Sequence, residues 1–133
     1  MTKDTGVAIH SDALLGKRVL LAIAGGIAAV ESVRLARELR RHQANLTVIM
    51  SEEATKIITP LAVSWGSDTI VHQGWSSEMS QLEAFDVILI APATRNTISK
   101  HLHGIMDSPL LMALSASRGR KSKLCFVPSM HTD

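Results

Sequence analysis

The sequence predicts an open α/β domain, built on a mostly parallel sheet with right-handed crossovers, and three observations carry that prediction. Apolar runs near residues 17–24, 46–50, 86–91 and 124–127 alternate with segments of helical periodicity. Three of the four runs are closed by glycine or proline, as suits strands that are buried on both faces of a parallel sheet. The 133 residues make one domain, and 46% hydrophobic against 20% charged residues give it enough apolar side chain for a core.

The elements follow in order. Residues 1–15 read as a polar arm that ends in Ala13-Leu14-Leu15, and residues 16–133 as the domain. The first strand, Lys17 to Ala24, is entered by two charges and broken by Gly25-Gly26. A helix then runs to about His42. At about 100° per residue, Ala28, Ala29, Ser32, Val33, Leu35, Ala36 and Leu39 share its inner face. Glu31, Arg34, Arg37, Glu38 and Arg41 lie on the other, a solvated outer face, with Val30 misplaced among them. A second strand covers Leu46–Met50, with Ser51 as an N-cap and Glu52-Glu53 in the following turn. Residues 57–83 read as a connection, broken at Pro60 and holding one short strand near Thr69–Val71. A short helix over Met79–Phe85 leads into the strongest strand, Asp86–Ala91, closed by Pro92. Helices at Asn96–Leu102 and Pro109–Ser117 and a last strand at Leu124–Val127 complete the chain.

Composition excludes several classes of function. Two Trp, two Phe and no Tyr leave no stacking platform for single-stranded nucleic acid. The formal charge of +2 is a small surplus of base. A single cysteine rules out an internal disulfide framework. In the strand Leu124–Val127, that residue, Cys125, reads as a small buried hydrophobe. The closest histidines, His101 and His103, diverge on a helix, which disfavours a metal site. No apolar run reaches the ~18–20 residues of a membrane span, and the start lacks a signal-type apolar block, so the expectation is a cytoplasmic protein.

Ligands of open parallel sheets bind beyond the carboxyl ends of the strands. Four stretches fall there: Gly25-Gly26-Ile27-Ala28, Ser51-Glu52-Glu53, Pro92 to Thr97, and Pro128 to His131. The Gly-Gly pair lets backbone approach an anion at a helix N-terminus, although it equally suits a plain tight turn. Thr94, Asn96 and Thr97 crowd polar groups directly after an apolar strand, more than a single helix cap requires.

These loops carry a resemblance. "GGIAAVES", "MSEEATKIITPLA", "DVILIAPATRNTISK", "GIMDSPLL" and "VPSM" stand in the order and spacing of the homo-oligomeric flavin-containing cysteine decarboxylases, over nearly the whole chain. This family includes phosphopantothenoylcysteine and peptidyl-cysteine decarboxylases, and Pro-Ala-Thr-x-Asn-Thr is its most specific element here. The resemblance implies a Rossmann-like, flavodoxin-type three-layer sandwich that binds FMN, shortened here at the C-terminus. It implies assembly as trimers or multiples of trimers, with flavin sites at subunit interfaces. Matched residue by residue, Gly25, Gly26, Ile27 and Ser51 fall near the flavin phosphate. Thr94, Asn96 and Thr97 fall on the phosphate and ribityl loop, Asp107 in the Gly-x-x-x-Asp element, and Ser129 and Met130 beside the ring.

Two positions depart from the family pattern. Glu78 stands where the decarboxylases carry a catalytic histidine, and His131 stands for the Asn of Pro-x-Met-Asn-x-x-Met. Both are therefore the candidate catalytic residues. A carboxyl with an ordinary pKa near 4 is a poor acid at neutral pH unless it is buried, which bears on Glu78 (about 4 for a free Glu). His72, six residues upstream, reads as a surface loop histidine. The expected activity is an FMN-dependent, decarboxylase-like lyase acting on a small-molecule or peptidyl cysteine conjugate. The alternatives are a non-catalytic or regulatory homologous subunit and a flavin electron-transfer protein or reductase.

Overall fold

A computed structural model describes residues 6–75, 85–118 and 122–128. Five strands form one all-parallel sheet in the order β3-β2-β1-β4-β5. They are β1 (Arg18–Ile23), β2 (Asn45–Met50), β3 (Val71–His72), β4 (Val87–Ala93) and β5 (Lys123–Pro128). The helices are α1 (Ser32–Arg41), α2 (Pro60–Ser67), α3 (Arg95–Leu102) and α4 (Pro109–Arg118). The result is a flavodoxin-like α/β sandwich.

The central strand explains the layers. Val19, Leu21 and Ile23 point to one face, where they meet Ala29 and Ala36 near and on α1 and Val63 on α2. Leu20 and Ala22 point to the other, against Leu110, Leu111 and Leu114 of α4. These five of the six β1 side chains are essentially inaccessible, and each large aliphatic one contributes about 1.5–3 kcal/mol by burial. Polar groups fix the entry to the sheet. The Arg18 N–H donates to Asp86 Oδ2 at 2.8 Å, and the Asp86 N–H returns to the Arg18 carbonyl at 2.8 Å.

The expected strands all form, and five local expectations change. The helix after Gly25-Gly26 opens as a 3₁₀ turn over Ile27–Glu31 before α1 begins. Pro60 starts a helix instead of ending an element: it occupies the first turn of α2, and Thr59 Oγ1 caps it by accepting the Ala62 N–H at 3.1 Å. The outer face of α1 is only partly solvated. Arg40 donates to the Gly66 carbonyl at 2.9 Å, and Arg37 lies over the Trp65 ring at 5.7 Å, so both hold α2. His72 belongs to β3, where it pairs with Ile49, and not to a loop. Cys125 is exposed, contrary to its expected burial. It sits on an edge strand whose Leu124 and Phe126 face the core while Lys123, Cys125 and Val127 face outward.

The arm is tied to the end of α1. The His10 N–H donates to the Arg41 carbonyl at 2.8 Å, and Ser11 Oγ lies 2.6 Å from His42 Nδ1. Glu38 accepts from Arg41 at 2.7 Å, and this bond, with the neighbouring His42, holds its carboxyl below the usual range. The expected helix over 79–85 falls mostly outside the described residues.

Candidate functional site

The strand order reverses at β1. The chain runs outward through β2 and β3 and then returns to the other side of β1 as β4, which is where parallel sheets of this kind open a crevice. At this edge the loop after β1 touches the loop after β2. A Cβ on Gly25 would stand 2.4 Å from Glu53 Cβ and 3.1 Å from the Glu53 carbonyl carbon, so glycine is required by close packing. Gly26 is extended, and its carbonyl accepts the Ala29 N–H at 2.9 Å, starting the 3₁₀ turn. Ile27 projects outward, 69% exposed. Ser51 is held twice. Its N–H donates to the Ile23 carbonyl at 2.9 Å, and its Oγ accepts the Ala54 N–H at 3.1 Å, although the N-cap of the short 3₁₀ segment Ala54–Lys56 is Glu53 and not the expected Ser51.

After β4, Thr94 caps α3. Its Oγ1 accepts the Thr97 N–H at 3.2 Å and donates its own hydrogen to Thr97 Oγ1 at 2.9 Å. The cap therefore uses two of the three crowded polar side chains and leaves Asn96 exposed. The N–H groups of Arg95 and Asn96, in the first turn, have no acceptor within the helix. Helix α3 ends where Gly104 takes a left-handed backbone (φ +71°), and the Ile105 N–H reaches back to the Lys100 carbonyl at 2.9 Å. The chain then returns to the crevice. Lys100 Nζ meets Asp107 Oδ2 at 2.8 Å across this turn, and Ser108 Oγ caps α4 by accepting the Leu111 N–H at 3.2 Å.

These segments enclose a cavity of about 320 Å³ at the carboxyl edge, on the α3–α4 side of the sheet. It gathers four of the expected site residues, Ser51, Asn96, Thr97 and Asp107, and adds Glu52, Glu53, Trp75 and Lys100. Gly25 stands behind its wall through Glu53, while Gly26, Ile27 and Thr94 are not among its lining residues. Lys100 is the one cation in the wall among the described residues. Sequence reasoning missed it. Its signal was the four-residue spacing from Asn96, which places both on one face of α3.

A second cavity, about 240 Å³ and largely apolar, lies on the α1 side between Ala28, Ser32, Leu35 and the ends of β4 and β5. Ser32 Oγ is buried there without a hydrogen-bond partner among the described residues. Glu78, Ser129, Met130 and His131 lie outside the described residues. Among the described residues, no cluster of His, Cys, Asp or Glu is arranged to hold a metal ion, and no helix is long and apolar enough to cross a membrane.

Known proteins resemble this chain in sequence and in fold. The coenzyme A biosynthesis bifunctional protein CoaBC of Thermococcus kodakarensis is 39% identical over 132 residues, which cover 94% of this chain and 32% of that protein. CoaBC of Methanocaldococcus jannaschii is 36% identical over 124 residues, 91% of this chain and 30% of its own. The chain thus spans about a third of the length of these curated relatives. The crystal structure of the FMN-dependent cysteine decarboxylase SpaF matches with a TM-score of 0.79 at 25% identity, over 90% of this chain and 72% of that one. The family model described as Flavoprotein matches residues 7–133, a span that contains every strand of the sheet and every loop of the crevice, and the chain belongs to that family.

Proposed function

We propose that this domain binds FMN at the carboxyl edge of its sheet and acts as a decarboxylase of cysteine conjugates, of the kind catalysed by the related cysteine decarboxylases. The observation that carries the reading is the convergence of Ser51, Asn96, Thr97 and the first turn of α3 on one cavity. Their chemistry fits the phosphate end of a flavin nucleotide. A dianionic phosphate needs oriented donors, and free N–H groups at a helix N-terminus together with hydroxyl and amide side chains supply them. The cavity volume of about 320 Å³ lies within the usual range of ligand pockets, which begins near ~300 Å³.

Ser51, Asn96 and Thr97 are assigned to the phosphate and ribityl chain, with Thr94 holding Thr97 in place. Gly25 and Gly26 shape the adjoining loop. On the family resemblance Ile27 is assigned with Gly25 and Gly26 to the segment near the phosphate, and Ser129 and Met130 to the ring, while Asp107 enters the site through its pairing with Lys100. Bound FMN would supply a two-electron acceptor for the carbon–sulfur unit of the cysteine, a change that weakens the bond to its carboxylate. Glu78 is assigned the acid–base role and His131 the approach of the substrate carboxylate, both from their positions in the family pattern. Assembly as a homotrimer, or a multiple of one, is supported by the exposed apolar side chains Leu102, Ile105, Met106 and Met112 around α3 and α4. A cytoplasmic location goes with this reading.

A second reading, FMN binding without decarboxylation, is favoured by one observation: both departures from the family pattern, Glu78 and His131, fall on the substrate side. One experiment separates the two. The purified chain is examined for a flavin absorbance spectrum, the released molecule is identified by mass, and carbon dioxide release from a cysteine conjugate is measured. Flavin with carbon dioxide supports the decarboxylase, flavin without it the binding domain, and protein that neither retains nor takes up flavin refutes both. Glu78→Gln is expected to stop turnover and leave the spectrum unchanged. Light scattering that gives a strict monomer at micromolar concentration would refute the trimer.

A further inference from the structure

In the wall of the cavity at the carboxyl edge, acidic side chains outnumber the one cation among the described residues. Three carboxylates, Glu52, Glu53 and Asp107, face one ammonium group, Lys100, among the described lining residues. Lys100 is already engaged, with Nζ 2.8 Å from Asp107 Oδ2. The pair spans the α3–α4 turn and is partly open to solvent, with side chains 31% and 55% exposed.

Resting on the flavin reading above, we infer that Asp107 is an internal stand-in for the flavin phosphate: it occupies Lys100 in the free domain and yields it to the phosphate on binding. Three observations support the exchange. Lys100 lies one helical turn beyond Asn96 on the same face of α3, so its ammonium group and the free N–H groups of the first turn address the same cavity. Asp107 belongs to the connection, not to a helix or strand, and is the more exposed partner, so it can be released to water at little cost. The phosphate carries twice the charge of the carboxylate and meets further donors, which makes it the stronger partner for one cation. Asp107 therefore lowers the affinity for FMN and sets it, while Lys100 supplies the preference for a phosphorylated flavin. A purely structural strap would have the opposite signature, because cutting it from either end would weaken every flavin alike.

The test is a titration of the purified full chain, stripped of flavin, with FMN and with riboflavin, followed by flavin fluorescence at low and high salt. Wild type, Lys100→Met, Lys100→Arg and Asp107→Asn are compared, with thermal melts to establish that each is folded. Wild type is expected to prefer FMN over riboflavin. Lys100→Met should weaken FMN by about tenfold, the loss of one charge-assisted contact, and leave riboflavin within about twofold. Lys100→Arg should retain most of the preference. Asp107→Asn should tighten FMN several-fold, without effect on riboflavin, and the gain should shrink at high salt. Equal losses for both flavins in Lys100→Met, or weaker FMN binding in Asp107→Asn, would overturn the exchange and leave flavin binding intact. Failure of wild type to bind either flavin would overturn the site assignment itself and this inference with it. Should Lys100→Met not fold, the opposite signs expected of Asp107→Asn under the two accounts decide between them.

Discussion

The contact between the first two loops of the crevice can be tested with one methyl group. Gly25→Ala places a carbon 2.4 Å from Glu53 Cβ, whereas carbon atoms in contact sit about 3.5–4.0 Å apart, so about 1 Å of movement is needed. Neither loop can supply it freely. The neighbouring Ala24 N–H is bonded to the Pro92 carbonyl at 3.1 Å. On the other side Ser51 is bonded to Ile23, and Ala54 is both fully buried and bonded to Ser51 Oγ. Overpacking of this kind costs about 1–3 kcal/mol. For a domain of this length the middle of that range is a fall of about 6–10 °C in Tm. Thermal unfolding followed by circular dichroism measures it, with Gly74→Ala as the control, because a Cβ there meets nothing within 4 Å. A Gly25→Ala protein that melts within a degree of wild type, or a Gly74→Ala protein that falls as far, would refute the reasoning.

Three further outcomes follow from the same geometry. Gly26→Asp puts a carboxylate on the first loop of the crevice and is expected to abolish FMN uptake in a fluorescence titration; full flavin occupancy would move the phosphate elsewhere. Thr94→Ala removes the α3 cap and the partner of the Thr97 hydroxyl, and chemical denaturation should report a loss of about 1 kcal/mol. Glu38→Gln should lower Tm at neutral pH. The Glu38 carboxyl is held below its unfolded value by Arg41, so the folded state binds fewer protons and this stability rises with pH through that window. The difference from wild type should therefore vanish as pH falls through the folded pKa, and a constant difference would refute the assignment.

The sheet was legible because its strands are buried on both faces and their sequences say so. Leu20 to Ala24 and Ile88 to Ile90 need no tertiary information to be read as strands, and Gly25 follows the first; the expected stop at Pro92 does not hold, because β4 runs through it to Ala93. Helix α2 was not legible. Pro60 reads as a breaker unless Thr59 is recognised as its cap, and the residues after it, buried against both α1 and the sheet, carry no clean polar face. Cys125 was misjudged for a different reason. A run such as Leu124 to Val127 looks equally buried in the middle of a sheet and at its edge, and only strand order decides. In the site, Ser51, Asn96 and Thr97 could be found from their place after strands. Lys100 could not be given a role, because its partner is reached only through the reversal at Gly104.

The strand that anchors the sheet also dictates when the sheet can close. On one side β1 pairs with β2, starting from Arg18 against Asn45, and on the other it waits for β4, which joins it through Arg18 and Asp86, 68 residues apart. By loop entropy alone, the second closure costs about 0.8 kcal/mol more than the first. A nascent chain that has not yet emerged past residue 93 therefore carries its central strand, β1, with one hydrogen-bonding edge open. Such an edge pairs with whatever strand it meets, including the same segment of a neighbouring chain. Release of truncated products that stop between β3 and β4 should accordingly give insoluble protein, whereas those that continue beyond β4 have the means to seal the middle of the sheet.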